Sequence, residues 1–258
     1  MNSQHRDIVD QTGDRPLARL ARVIVPHAPH HVTQRGNRRE AVFFDDDDYR
    51  AYLDLIAAAT ARSRTAIWAC CLMPNHVHFI MTPSDEDGLR ATFAEARRRY
   101  TDRIHARLKV TGHLWQGRFS STAMDERHLL AAARYVPMNP VRAGLVGRAD
   151  QWAWSSARAH LAGKDVGVTV VAPVLERVGD FSVFLSQPAD EAAVTAIRRS
   201  RSTGRPVGAE DWSKRSWRAN SPPPSAGRSR GWSRTEIRTI YFIQCHCNLP
   251  IPSNRTML

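Results

Sequence analysis

The sequence predicts an α+β protein: a ferredoxin-like βαββαβ antiparallel sheet with an added C-terminal tyrosine-bearing helix. Three observations predict it. Between residues 30 and 138, β-type and helix-period segments follow in the order strand, helix, strand, strand, helix, strand, helix, which is the split βαβ order. Turn signals separate the two adjacent strands, so those can pair as a hairpin with helices on one face of the sheet. Hydrophobic residues make up 42% of 258, enough for a buried core.

Each element has its own warrant. His30 to Gln34 (HHVTQ) is β-type and stops at Gly36-Asn37, a strand followed by a turn. Asp45 to Asp48 bring a cap and negative charge to a helix start, which explains the acids more simply than a metal site does. Tyr49, Tyr52, Leu53 and Ile56 continue that helix at 3.6-residue spacing to about Ser63. Thr65 to Met73 is a buried strand, Pro74-Asn75 a turn, and His76 to Thr82 a second strand. Leu89, Phe93, Tyr100, Ile104 and Leu108 mark one face of a long helix. Arg99, Arg103 and Arg107 line another, either a solvated face or a phosphate track. Gly112 ends that unit. Phe119 to Met124 is a further strand and Glu126 to about Met138 a third helix. Trp152, Trp154 and Ala157 begin a short helix that ends near Gly163, and no internal repeat is visible.

This organisation divides the chain into a polar arm (1–16), a main domain (17–163), a small helical appendage (164–197) and a basic tail (198–258). The tail is dominated by Arg, Ser, Pro and Gly, which bury too little apolar surface to offset the entropy of ordering, so disorder is expected there. A chain cut near Gly163 is expected to fold and keep its chemistry, with DNA affinity falling through loss of Arg198, Arg199 and Arg201.

Lys and Arg number 37 against 25 Asp and Glu, a net charge of +12. Such an excess draws polyanions, nucleic acid first and anionic membrane second, although a soluble protein can simply be basic. The four cysteines are Cys70, Cys71, Cys245 and Cys247, and they match neither zinc spacing nor a disulfide framework. No apolar run is long enough for a membrane span and the first residues are polar, so a cytoplasmic protein without membrane contact is expected.

The chemistry-bearing residues begin with His76-Val77-His78. Residues i and i+2 of a strand share a face, so two imidazoles about 6–7 Å apart can converge on one metal ion. Such a pair taken alone is more often structural. Tyr135 lies about 150° from the centre of the apolar stripe formed by Leu129, Leu130, Ala133 and Val136. It therefore calls for a reason other than packing, unless it is a surface tyrosine capped by the Asn139-Pro140 turn. Asn139 is four residues on and shares its side if the helix persists. A phenol and an amide oxygen beside two histidines suit metal-assisted phosphoryl transfer.

Four stretches, HHVTQRGNRREAVFFDDDDY (30–49), CLMPNHVHFIM (71–81), GHLWQGRFSS (112–121) and YVPMNPVRAGLV (135–146), resemble the REP-associated tyrosine transposases. These are relatives of the small single-tyrosine transposases of insertion sequences. The resemblance covers about residues 17–163. It implies a His-hydrophobe-His (HUH) single-tyrosine transposase fold, with Mg²⁺ or Mn²⁺ held by His76, His78 and a third ligand, for which Asn139 occupies the matching place. It further implies Tyr135 as nucleophile, a 5′-phosphotyrosine intermediate, and single-stranded or hairpin DNA as partner, with a homodimer left open. Pro137 interrupts the helix between Tyr135 and Asn139, so the Asn139 alignment is the less secure.

Contacts to DNA are expected from Arg35, Asn37 and Arg38 in the turn after the first strand, or that turn is an ordinary one. Trp115, Gln116 and Arg118, with Phe119, resemble a stacking platform, although Trp115 alone fits a core plug better. Arg99, Arg103, Arg107 and Arg142 complete the expected DNA-binding set. A nucleotide hydrolase with a third strand histidine is disfavoured because Ile80 stands at that place. An RNA-binding module is disfavoured because its aromatic sheet motif is absent. A domesticated, catalytically silent hairpin-binding protein is the main rival, against which His76, His78 and Tyr135 are all intact. After about Arg215 the likeness stops, as it would after a shifted reading frame.

Overall fold

A computed structural model describes residues 22–220. The polar arm at 1–16 and everything after 220, including Cys245 and Cys247, lie outside the described residues.

The order is β1 (His30–Arg35), α1 (Asp46–Ser63), β2 (Thr65–Met73), β3 (His76–Pro83), α2 (Gly88–Leu108), β4 (Ser120–Ala123) and α3 (Glu126–Tyr135). Short helices follow at α4 (Asn139–Arg142), α5 (Ala157–Ala162), α6 (Ala172–Val178) and α7 (Phe181–Ser186). The longer α8 (Glu191–Thr203) and α9 (Glu210–Asn220) complete the described chain. The four strands form one antiparallel sheet in the order β2-β3-β1-β4, the ferredoxin-like arrangement. Helix α1 starts as expected, Asp45 accepting from the backbone N–H of Asp48 at 2.9 Å.

Alternation along the strands sends side chains to two layers. Val32, Val77, Phe79 and Met81 enter one core with Tyr52, Ile56, Phe93, Tyr100 and Ile104 of α1 and α2. Ile80, Ala69, Cys71 and Met73 enter a second core with α3, α6, α7 and α8. In β2 a register shift between Ile67 and Ala69 lets Ile67, Cys70 and Leu72 face the first core while Ala69 faces the second. Cys70 and Cys71 are free and buried, as small hydrophobes should be.

Helices therefore cover both faces, where one covered face was expected. The reason is α3. Ala131, Ala132, Ala133, Leu129 and His128 are all buried, so this helix is enclosed nearly all round rather than along one stripe. Its outer side is closed by Val174, Phe181, Phe184, Val194 and Ile197. Arg134 ties the layers together, donating to the Phe184 carbonyl and lying 4.2 Å from that ring.

The expected break at 197/198 falls inside α8. Asp190 caps this helix through the Ala193 N–H, and Ala193, Val194, Ile197 and Ser200 are buried at helical spacing. Order continues past it: the Val207 N–H donates to Ala123 O at 2.9 Å and the Asp125 N–H to Val207 O at 3.1 Å, before α9 begins. Composition alone suggested disorder here; a capped apolar stripe overrides it. A chain ending at Gly163 would expose the whole outer side of α3. We expect it to lose cooperative unfolding and to bind a hydrophobic dye, whereas a chain ending at Asn220 should melt like the full protein.

His30 gives the fold a pH response. Its Nδ1–H donates to Ala28 O at 2.8 Å and its Nε2 accepts the Val25 N–H at 3.1 Å. Protonation would destroy that acceptor, and burial pulls the imidazole down from 6.5 to about 4. The unfolded chain then binds more protons between these values. Stability is fully present above about 6.5 and is lost as pH falls toward 4, by on the order of 2–3 kcal/mol from this group. Chemical denaturation at pH 7 and 4.5 in chelator should show the drop, and a smaller drop in His30→Gln.

Candidate active site

The β1–β3 register pairs Thr33 with His78, Arg35 with His76 and His31 with Ile80. His31, Thr33, Arg35, His76 and His78 consequently share the face toward α3 and α8. The rings of His76 and His78 lie 4.8 Å apart, centre to centre. His76 Nδ1 bonds Asn75 Oδ1 at 2.6 Å, and His78 Nδ1 meets His31 Nε2 at 3.0 Å.

Each histidine of the pair thus has its Nδ1 engaged. His78 Nε2 is buried without a hydrogen-bond partner, as is His31 Nδ1. Burial lowers the three imidazoles: His76 to about 4, with Arg35 and Arg201 adding to the effect, His31 to about 3, and His78 well below its usual value. They are neutral at neutral pH and carry free lone pairs, the state a metal requires. An orphaned, buried Nε2 beside a second neutral imidazole fits a divalent ion with open positions for oxygen ligands. Among the described residues no group of three His, Cys, Asp or Glu is placed to hold a metal.

Tyr135 ends α3, and its ring stands edge-on to His78 at 5.6 Å and His31 at 6.1 Å. The expectation of an off-core tyrosine needs correcting: only 7% of it is exposed, because α8 covers that side. Two guanidinium groups reach its ring, Arg198 of α8 at 5.0 Å and Arg142 of α4 at 5.6 Å. Arg142 also meets Glu191 at 3.4 Å.

Helix α3 stops at Tyr135, before Pro137, and the chain restarts as α4 at Asn139. Asn139 is buried and its Nδ2 donates to Tyr135 O at 2.9 Å and Val136 O at 3.2 Å. Its amide closes the helix end directly behind the tyrosine, in place of the continuous helix on which the two would simply share a side.

The expected DNA contacts divide. Arg35, Gln116 and Arg118 line one cleft of about 490 Å³, together with Arg39, Arg198 and Arg201. Arg38 is exposed and Asn37 half-buried in a 3₁₀ turn beside it, where Arg38 and Arg39 both have positive φ. Trp115 is a core plug, 4% exposed among Tyr52 and Tyr100, so it is no platform for bases. Arg99, Arg103 and Arg107 sit on α2, which covers the opposite face of the sheet from the histidines. Arg107 is bound to Asp45 at 2.7 Å and Asp48 at 2.5 Å, and Arg99 to Glu95 at 3.6 Å. Arg107 is a strut between helices rather than part of a phosphate track.

Sequence reasoning missed His31 and Arg39, and read Arg198 and Arg201 only as tail residues that add DNA affinity, not as neighbours of the site. His31 had a signal, because its parity in β1 matches that of the histidine pair once β1 and β3 are taken as neighbours. For α8 no local signal points to Tyr135.

Residues 25–139 match the family of IS200-like transposases. The chain is also similar to the structure of a REP-associated tyrosine transposase bound to a REP hairpin. That match has 21% identity and a TM-score of 0.47, covering 60% of this chain and 92% of the other. A crystal structure from Deinococcus radiodurans R1, described as a transposase, matches at 18% identity and a TM-score of 0.34, covering 45% of this chain and 93% of the other. No curated protein matches. Among the described residues no helix is long and apolar enough to cross a membrane.

A cap and a metal ligand use different atoms of Asn139, the cap its Nδ2 donor and the ligand its Oδ1. Asn139→Asp keeps an oxygen but cannot donate to the carbonyls of α3. We expect it to destabilise the protein in chelator at least as much as Asn139→Ala, which should cost about 1 kcal/mol by denaturant titration.

Proposed function

We propose that this transposase cuts and rejoins single-stranded DNA at hairpin ends through Tyr135. The observation that carries the reading is the Tyr135 ring set edge-on against His78 and His31, on the same sheet face as His76. A packing tyrosine would have no need of two neutral imidazoles for neighbours.

The Tyr135 hydroxyl oxygen attacks the scissile phosphorus, forming the P–O bond of a 5′-phosphotyrosine as the bond to the 3′ oxygen breaks. The phenolic proton leaves to solvent and the 3′ oxygen ends as a free hydroxyl, so the step is reversible and supports rejoining. Mg²⁺ or Mn²⁺ held through the Nε2 atoms of His76 and His78 would supply neutralising charge at the phosphate oxygens. His31 fixes the His78 ring through its Nδ1, and Asn75 does the same for His76. The Asn139 amide fixes the end of the helix that carries the nucleophile. The hairpin preference rests on the sequence likeness to the REP-associated enzymes, and the net charge of +12 suits a polyanionic partner.

Tyr135→Phe keeps the ring and removes the nucleophilic oxygen. We expect unchanged DNA affinity and a loss of at least about 10³-fold in cleavage, together with the covalent adduct on denaturing gels. Tyr100, whose hydroxyl donates to Val42 O in the other core, supplies the control: Tyr100→Phe should still form the adduct if it folds. An adduct retained by Tyr135→Phe would assign the chemistry to another residue. Strand binding without cleavage in the wild type would mean a silent hairpin-binding protein.

A further inference from the structure

The arginines of this protein differ in their partners. Six of those on α1 and α2, Arg50, Arg62, Arg90, Arg98, Arg99 and Arg107, each lie within 4.0 Å of a carboxylate. Arg22, Arg35, Arg39, Arg118, Arg198 and Arg201 behave otherwise. None of them pairs with an Asp or Glu among the described residues, and all line two clefts that share Gly117, Arg118, Ser120 and Arg201. No acidic residue lines either one.

Six cations line these clefts with no acidic residue among them. Arg201, where the clefts overlap, is half-buried: burial lowers its pKa, nearby Tyr135 opposes this, and the guanidinium groups of Arg35 and Arg198 lower it further. Its Nε is spent on Arg198 O at 3.3 Å, which aims the side chain along α8 rather than toward any carboxylate. Such an arrangement favours an anion inside it. The cleft also opens beside the nucleophile, since Arg198 both lines it and lies 5.0 Å from the Tyr135 ring.

Both α8 arginines lie beyond residue 139, where the matched family segment ends. We propose that α8 is the second wall of the active site: Arg201, with Arg35 and Arg118, grips a backbone phosphate of the single strand, and Arg198 holds the Tyr135 ring in line for attack. The helix thus supplies a strand-binding residue and a positioning residue that the transposase domain alone lacks. Phosphodiester is the ligand chemistry, because guanidinium forks suit phosphate oxygens and the clefts hold several such forks and no carboxylate.

This inference rests on the Tyr135 reading for Arg198 only, so the two arms of the test are separate. In full-length protein carrying Tyr135→Phe, anisotropy with a single-stranded oligonucleotide is measured against salt. Adding Arg201→Ala should weaken binding about tenfold and reduce the salt slope by about one, as for a lost phosphate contact. Arg62→Ala, which removes equal charge from the far layer, should leave the slope unchanged. In protein with Tyr135 intact, Arg198→Ala should slow adduct formation at saturating DNA by about tenfold or more while changing affinity less, and Arg198→Lys should recover part of the rate. Melting points of both variants should match the parent. Wild-type affinity and slope in Arg201→Ala would overturn the phosphate grip. A wild-type rate in Arg198→Ala, or equal losses of rate and affinity, would overturn the positioning role. If Tyr135→Phe itself forms adduct, the proposed chemistry fails while the binding arm still decides the grip.

Discussion

Alternation along β3 is the constraint on which the rest of the molecule depends. Its residues serve two layers at once, with Val77, Phe79 and Met81 in one core and His76, His78 and Ile80 toward the other. A slip of one residue would put imidazoles among Tyr52, Phe93 and Tyr100 and send valine, phenylalanine and methionine to the reactive face. Each of those apolar side chains contributes about 1.5–3 kcal/mol by being buried, so three of them outweigh the cost of keeping neutral imidazoles dry. Strand β3 is also interior, paired on both edges, which fixes its register twice. The histidines are held in place by the hydrophobes between and beside them.

The same economy explains the uneven use of arginine. Arg107 and Arg201 are chemically identical, yet one is closed by Asp45 and Asp48 and the other faces its own kind. Acids concentrate at the start of α1, where the helix dipole favours them, and one arginine of α2 is drawn in to complete that junction. Beside the histidines Arg142 meets Glu191, while Arg35, Arg39, Arg198 and Arg201 face no carboxylate among the described residues. Neutral imidazoles and these guanidinium groups leave the cleft electropositive.

Much of this was legible in the residues. The limits of β2, the cap at Asp45, the hairpin at Pro74-Asn75 and the shared face of His76 and His78 all depend on neighbours in sequence, where period and capping chemistry act directly. What escaped depended on distant chain. Tyr135 read as lying off the core because the helix that covers it arrives more than fifty positions later. His31 needed the β1–β3 pairing to acquire its partner. The arginine row on α2 was real as a pattern, but a pattern does not say which side of a sheet its helix will cover. The segment after 197 failed for another reason: averaged composition hid a short apolar stripe behind a single aspartate cap.

The placement of α8 also orders events during synthesis. Chains emerge from the ribosome amino end first. The sheet with its histidines, and then Tyr135, are therefore complete while the helix bearing Arg198 and Arg201 has yet to be made. Until then Val194 and Ile197 are missing from the outer side of α3 and the Tyr135 ring lacks its cover. Any nascent chain stopped before residue 191 carries His31, His76, His78 and Tyr135 but not the helix that covers the tyrosine. Late arrival of that helix makes synthesis past α8 a condition for an assembled site.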